Sequence, residues 1–139
     1  MKKKKLRGYV FCRPFMGERV PQHVQNIIIR NYCEQNNFQY LLSSTEYVYE
    51  KSDIMLEQAL NEIKNLDGII SYSLFQLPED DDKRNRIYNI ILKERKEFHF
   101  AVEGLKLTNS IETEFIEYLW LIKKTIPMCP KNLSLIKKI

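Results

Sequence analysis

Glycine is scarce in this chain, and four glycines in 139 residues already exclude some chemistry. A dinucleotide-binding fingerprint needs three of them in one short loop after a strand, and no glycine-rich phosphate loop is present. No redox cofactor is therefore expected. Histidine is scarcer still, with only His23 and His99. The cysteines Cys12, Cys33 and Cys129 have no metal-like spacing, so no metal site is expected. Three is also an odd number for a disulfide framework, and the cysteines read as reduced thiols of a cytoplasmic protein. No apolar run approaches the roughly 20 residues that span a bilayer. The Lys2–Lys5 run leads into Arg7 and Gly8 rather than an apolar stretch, so a secretory signal is not expected either.

Acidic residues are missing from both ends. Residues 2–7 hold five cations and residues 131–138 three, which leaves 14 basic against 18 acidic groups between them. The overall charge of +4 thus hides a body of about −4. Nucleic-acid-binding domains normally carry a basic face on the folded body, so specific nucleic-acid binding is not expected. The basic ends read as solvated tails, residues 1–6 and 128–139, around one domain at 7–127. The hydrophobic fraction of 44% is ample for a single core.

Four apolar bursts alternate with four helical stretches. Strands are expected at Leu6–Cys12, Phe38–Leu42, Ile69–Tyr72 and Phe98–Val102. Pro21 opens a helix carrying Val24, Ile27, Ile28, Tyr32 and Gln35. Ser52 is placed to cap a second, with Leu56, Ala59, Leu60, Ile63 and Leu66 inward. Pro78 and the acids Glu79–Asp82 start a third. Asn109 and Glu112 form a capping box for the last, whose stripe is Ile111, Phe115, Tyr118, Leu119 and Ile122. The alternation predicts an α/β fold, a doubly wound, mainly parallel four-stranded sheet in order 2-1-3-4 with helices on both faces. Ligands of such sheets bind outside the carboxyl ends of the strands.

Candidate site residues follow from that rule. The loop after the first strand carries Cys12, Arg13, Arg19, Gln22 and His23. Two guanidinium groups beside a helix N-terminus would hold a carboxylate or phosphate. Cys12 is placed as a nucleophile and His23 as a general base. Glu46 ends the second strand and Glu103 the fourth, both placed for proton transfer, while Ser73 and Gln76 follow the third as substrate-binding groups. Hydroxyls, amides, arginines and carboxylates among aromatics suit a sugar or sugar acid.

Gly8-Tyr9, Gln22, Gln25 and the run Asp67–Leu77 resemble the catalytic domain of serine recombinases over about residues 7–107. That family has a nucleophilic serine after the first strand and an arginine just before it. Here those places hold Cys12 and Phe11. Its Leu-Asp-Arg-Leu after the third strand appears as Leu74-Phe75-Gln76-Leu77, so DNA strand transfer is not expected. A second resemblance rests on Arg7–Phe15, Arg19–Asn26, Leu56–Gln58, Tyr72–Pro78 and Phe100–Glu103. These segments are similar to the sporadic carbohydrate-cluster proteins of bacterial surface-polysaccharide gene clusters, and that resemblance implies a pathway without supplying a reaction.

The expectation is a small enzyme acting on an activated or acidic sugar in surface-glycan synthesis, by isomerase, epimerase or glycosidic-bond chemistry. Arg13 and Arg19 would hold the anion. Two alternatives stand beside it: a non-catalytic sugar-binding or scaffold partner of a glycan enzyme, and a nucleoside deoxyribosyltransferase-like enzyme. A homo-oligomer is expected as well, with Trp120 near its interface.

Overall fold

In the computed structural model of the chain, residues 2–126 are described, apart from Met16, Glu18 and Glu50. The C-terminal stretch 128–139, read from sequence as a tail, lies outside them. Five strands form one sheet in order β2-β1-β3-β4-β5: β1 Lys5–Phe11, β2 Gln39–Glu46, β3 Gly68–Ser71, β4 Glu97–Phe100 and β5 Leu105–Leu107. The first four pair in parallel, and β5 returns antiparallel against β4. The doubly wound α/β class is as expected. The fifth strand is an addition, three residues long and too short to show a period.

Four helices connect the strands: α1 Gln22–Gln35, α2 Ile54–Asn61, α3 Asp81–Lys93 and α4 Ser110–Thr125. The step from β1 to β2 crosses the sheet one way. The steps to β3 and β4 cross it the other way. Right-handed crossovers therefore place α1 on one face and α2 and α3 on the other. Alternate residues of β1 sort between the two faces. Tyr9 and Phe11 pack with Leu60, Ile87 and Ile116 from α2, α3 and α4. Leu6 and Val10 pack with Ile29 and Cys33 from α1. From Gly8 to Phe11 β1 is buried on both sides, and there it reads as a continuous apolar run.

The helices separate good from poor sequence signals. All five inward residues expected for the second helical stretch are buried, with Ile63 in a short 3₁₀ turn after α2. Its N-cap is Asp53, without a side-chain cap bond, and Ser52 bonds Glu46 instead. On α4, Asn109 accepts from the Glu112 N–H, and Glu112 in turn accepts from Thr108. Most of the apolar stripe of α4, however, faces outward: Ile111, Phe115, Tyr118 and Ile122 are exposed and Leu119 is half-buried against the core, while Ile116 and Trp120 are buried. At 100° per residue Trp120 lies almost diametrically opposite that stripe. Trp120 is thus part of the core, not the exposed interface group that sequence position predicts. Among the described residues no helix is long and apolar enough to cross a membrane.

Gly68 shows how closely the central strands approach. A Cβ there would overlap the Glu97 carbonyl oxygen of β4 and press on Leu6. Backbone cannot swing aside as a side chain can, so Gly68→Ala is expected to destabilise by about 1–3 kcal/mol. A urea melt should show a lower midpoint at unchanged m-value. At Gly8 the obstacle is the Ser43 hydroxyl, a movable group, and alanine there should do less harm.

A candidate site at the carboxyl end of the sheet

The strand order reverses at β1, and the crevice expected there is present. A cleft of about 860 Å³ opens beyond the ends of β1 and β3. Phe11, Arg13, Phe15, Phe75 and Pro78 line it, together with Trp120, Lys123 and Lys124 of α4. A hollow of about 520 Å³ at the opposite end lies between Lys2, Lys3, Lys5 and Gln39, and it has no aromatic floor.

Glu46 lies below the cleft and is 1% exposed. Its carboxylate accepts from Tyr9 Oη at 2.8 Å, Ser52 Oγ at 2.8 Å and the N–H groups of Tyr47, Met55 and Leu56 at 3.1–3.3 Å. Two of those N–H groups begin α2, where a negative charge also meets the positive end of the helix. Burial works to raise its pKa, but hydrogen bonds from Tyr9, Ser52, Met55 and Tyr47 outweigh it and hold the group below the usual carboxylate value. Tyr9 is driven the other way, mainly by burial and then by the Glu46 charge.

Gln25, fully buried, ties α1 to β1. Its Nε2 donates to the carbonyls of Phe11 and Val20 at 2.8 Å, and its Oε1 accepts from Phe11 N and from Gln76 Nε2. Gln76 Oε1 accepts from Ser73 N, and Ser73 Oγ donates to Glu103 Oε2 at 2.7 Å. The other Glu103 oxygen accepts from Leu74 N at 2.9 Å. One chain of bonds thus fixes the turn after β3 against α1 and the end of β4.

Arg13 stacks over the Phe11 ring at 4.0 Å and donates to the Ser52 carbonyl at 2.8 Å. Longer bonds at 3.4 Å reach the carbonyls of Tyr47 and Tyr49. It therefore pins the loop that leads into α2. Cys12 is half-buried, and its thiol donates to the Glu46 carbonyl at 3.1 Å. Arg19, Gln22 and His23 are exposed at the start of α1 and do not line the cleft. Gln22 makes one long contact, accepting from Thr45 Oγ1 at 3.5 Å. Of the nine sequence-derived candidates, only Arg13 and Gln76 line the cleft; Arg19 and His23 do not join them.

Sequence reasoning missed Arg84, Phe75 and the role of Trp120. Arg84 is buried and forked onto Glu117, with Nε to Oε2 at 2.9 Å and Nη2 to Oε1 at 3.0 Å. It also donates to the carbonyls of Pro78 and Glu79, pairs with Asp81, and lies 4.3 Å over the Trp120 ring. The acidic helix start was visible in sequence, but nothing local marked which cation would turn inward.

No protein-family model matches this chain, and no curated protein is significantly similar to it. Among solved structures, the N-terminal catalytic domain of TP901-1 integrase is similar at 18% identity and a TM-score of 0.61, covering 85% of this chain and 94% of that one. A resolvase-family site-specific recombinase from Streptococcus pneumoniae is similar at 9% identity and a TM-score of 0.60, covering 96% and 97%. In fold, the chain is similar to recombinase catalytic domains. At such identities the likeness establishes the fold and no activity.

It nevertheless overturns the expected function. The solved structures that share this fold are an integrase domain and a recombinase, neither of them a sugar-modifying enzyme, and the expectation of surface-glycan synthesis is corrected on that ground. The sugar-modifying enzyme, the sugar-binding or scaffold partner and the deoxyribosyltransferase-like alternative are all withdrawn, together with the sugar ligand. The exclusion of nucleic acid is withdrawn too. A net charge of the body is a sum, and it does not report where cations gather. Lys51, Lys83, Lys123 and Lys124 all stand around one cleft.

Proposed function

We propose that the chain takes part in DNA recombination, in the cytoplasm, as a pairing domain that does not itself cut DNA. The observation that carries this reading is the outer face of α4. Ile111, Phe115, Tyr118 and Ile122 are 41–76% exposed and recur at four-three-four spacing. That spacing is the seam of a two-helix contact. Single exposed apolar residues are ordinary, but a continuous line of them marks an interaction surface. A second copy of α4 supplies the matching seam in an isologous pair.

The non-cutting part rests on what surrounds Cys12. Strand transfer needs cationic donors aimed at a phosphodiester beside the nucleophile. Arg13 is held by carbonyls and Arg84 by Glu117, and the Cys12 thiol itself is engaged. Kinship with the sporadic carbohydrate-cluster proteins is kept as a proposal about descent, on the segments Arg7–Phe15 and Tyr72–Pro78, and it brings no sugar chemistry.

Sedimentation at tens of micromolar, roughly the range of modest affinities, should give a dimer. Phe115→Glu and Tyr118→Lys should each give monomer at an unchanged melting temperature, because both side chains are exposed. A wild-type monomer overturns the pairing. A covalent protein–DNA adduct overturns the non-cutting role, and failure to retain duplex DNA at physiological salt overturns the recombination role.

A further inference from the structure

The cleft beyond β1 and β3 has the makings of a ligand site, and its chemistry is specific enough to name a class. Phe15 and Phe75 are only partly buried and present ring surface to it. Phe75 meets the Trp120 ring edge-on at 5.2 Å, which leaves an aromatic floor rather than an aliphatic one. The rim is cationic on balance, with Arg13, Lys51, Lys83, Lys123 and Lys124 against Asp53, Glu79 and Asp80. Lys83 is tied to Asp53 at 3.4 Å, and Lys124 to Asp81. Asp80 caps α3 by accepting from the Asp82 N–H. Lys51 and Lys123 have no ion pair among the described residues, and Glu79 and Asp80 are the rim acids without one. Trp120 itself is 4% exposed and backs the Phe75 ring from beneath. Trp120 Nε1 is the buried side-chain donor without a partner among the described residues.

We infer that this cleft binds a nucleotide, a planar base on the Phe15–Phe75–Trp120 floor with its phosphate at Lys123 and Lys51. The volume of about 860 Å³ lies within the range of small-molecule sites. Bases stack on aromatic faces without regard to sequence, and lysine ammonium groups neutralise phosphate. The base can belong to a free nucleotide or to a single strand of DNA, and the chemistry at the cleft is the same. This goes beyond the pairing role. Trp120 and the Phe115–Tyr118 stripe lie on opposite sides of α4, so either proposal can fail alone.

The chain holds a single tryptophan, so its one indole N–H resonance reports on the cleft. Adenosine monophosphate, a single-stranded oligothymidylate, adenosine and inorganic phosphate are titrated separately into ¹⁵N-labelled protein. A saturable shift of the indole peak with the nucleotide, the oligonucleotide or both is expected. Which of the two saturates tells a free nucleotide from a strand. Phe75→Leu keeps the apolar volume but removes the ring and should weaken binding about tenfold. Lys123→Ala should weaken it to a similar degree and flatten its salt dependence. A stationary indole peak overturns the inference. So does an equal shift with inorganic phosphate alone, or affinity unchanged in both variants.

Discussion

Arg84→Ala is expected to destabilise the protein by about 2–4 kcal/mol, because the guanidinium is buried while its partner Glu117, 30% exposed, keeps part of its solvation. The loss is large because the guanidinium serves several groups at once. Without it the Glu117 carboxylate keeps only Tyr88 Oη, at 2.6 Å, among the described residues, and the Pro78 and Glu79 carbonyls lose their shared donor. The Trp120 ring loses the cation above it. The double variant Arg84→Met/Glu117→Gln removes both charges, fills the space and leaves an acceptor for Tyr88. It should recover much of the stability, since a buried pair is worth little against well-packed neutral groups. Denaturant melts of the two single variants and the double variant check this. A double variant as unstable as Arg84→Ala would mean that packing, not stranded charge, sets the effect.

The same residue shows where sequence reasoning stops. The strands were legible because β1, β3 and β4 are buried on both faces and therefore read as short apolar bursts. With the order reversing at β1, right-handed crossovers then required helices on both faces. Periodicity found α4, yet it located the wrong face. The stripe at Ile111, Phe115, Tyr118 and Ile122 is cleaner than the one at Ile116 and Trp120, and only packing shows which turns inward. α1 repeats the lesson. Ile27 and Ile28 are exposed, while Gln25, Ile29 and Cys33 are buried. A glutamine on the inner face of a helix is invisible to a hydrophobic pattern, because its burial depends on four hydrogen bonds from other segments.

The candidate site was legible as a place and not as a set of roles. Strand ends named the rim at which the cleft opens, and Arg13 and Gln76 line that cleft. Glu46 and Glu103 look alike in sequence to any exposed acid–base pair. In the fold each faces several donors, and that is a property of tertiary neighbours. The aromatic floor comes from Phe15, Phe75 and Trp120, three segments with no shared period. No window of the chain contains it.

Glu46 gives the sharpest remaining test, because its effect should depend on pH. Glu46→Ala is expected to destabilise by about 3–5 kcal/mol. Bonds to a charged acceptor contribute roughly 1.5–3 kcal/mol each, and water entering the vacated space offsets part of the loss. Glu46→Gln keeps one acceptor oxygen but turns an amide N–H₂ towards groups that donate, so it should lie between alanine and wild type. The sign of the pH dependence follows from the folded pKa, which is held below the ordinary value of 4.5. Above 4.5 the carboxylate is charged in both folded and unfolded chains, and its full contribution is present. As pH falls below 4.5 the unfolded chain takes up the proton first, and the contribution is lost as pH passes through the folded value. The stability gap between wild type and Glu46→Gln should therefore be flat from pH 8 to about 5 and narrow below that. His99 is also depressed, chiefly by burial, and costs stability once pH falls below its ordinary 6.5. Glu97 is lowered by its bonds to Lys4 and His99 against the opposing effect of burial. Both act equally in wild type and variant, so the difference between the two curves isolates Glu46. A gap that stays constant down to pH 3 would show that folding does not move the Glu46 pKa, and a gap that widens as pH falls from 8 towards 5 would show a folded carboxyl held neutral.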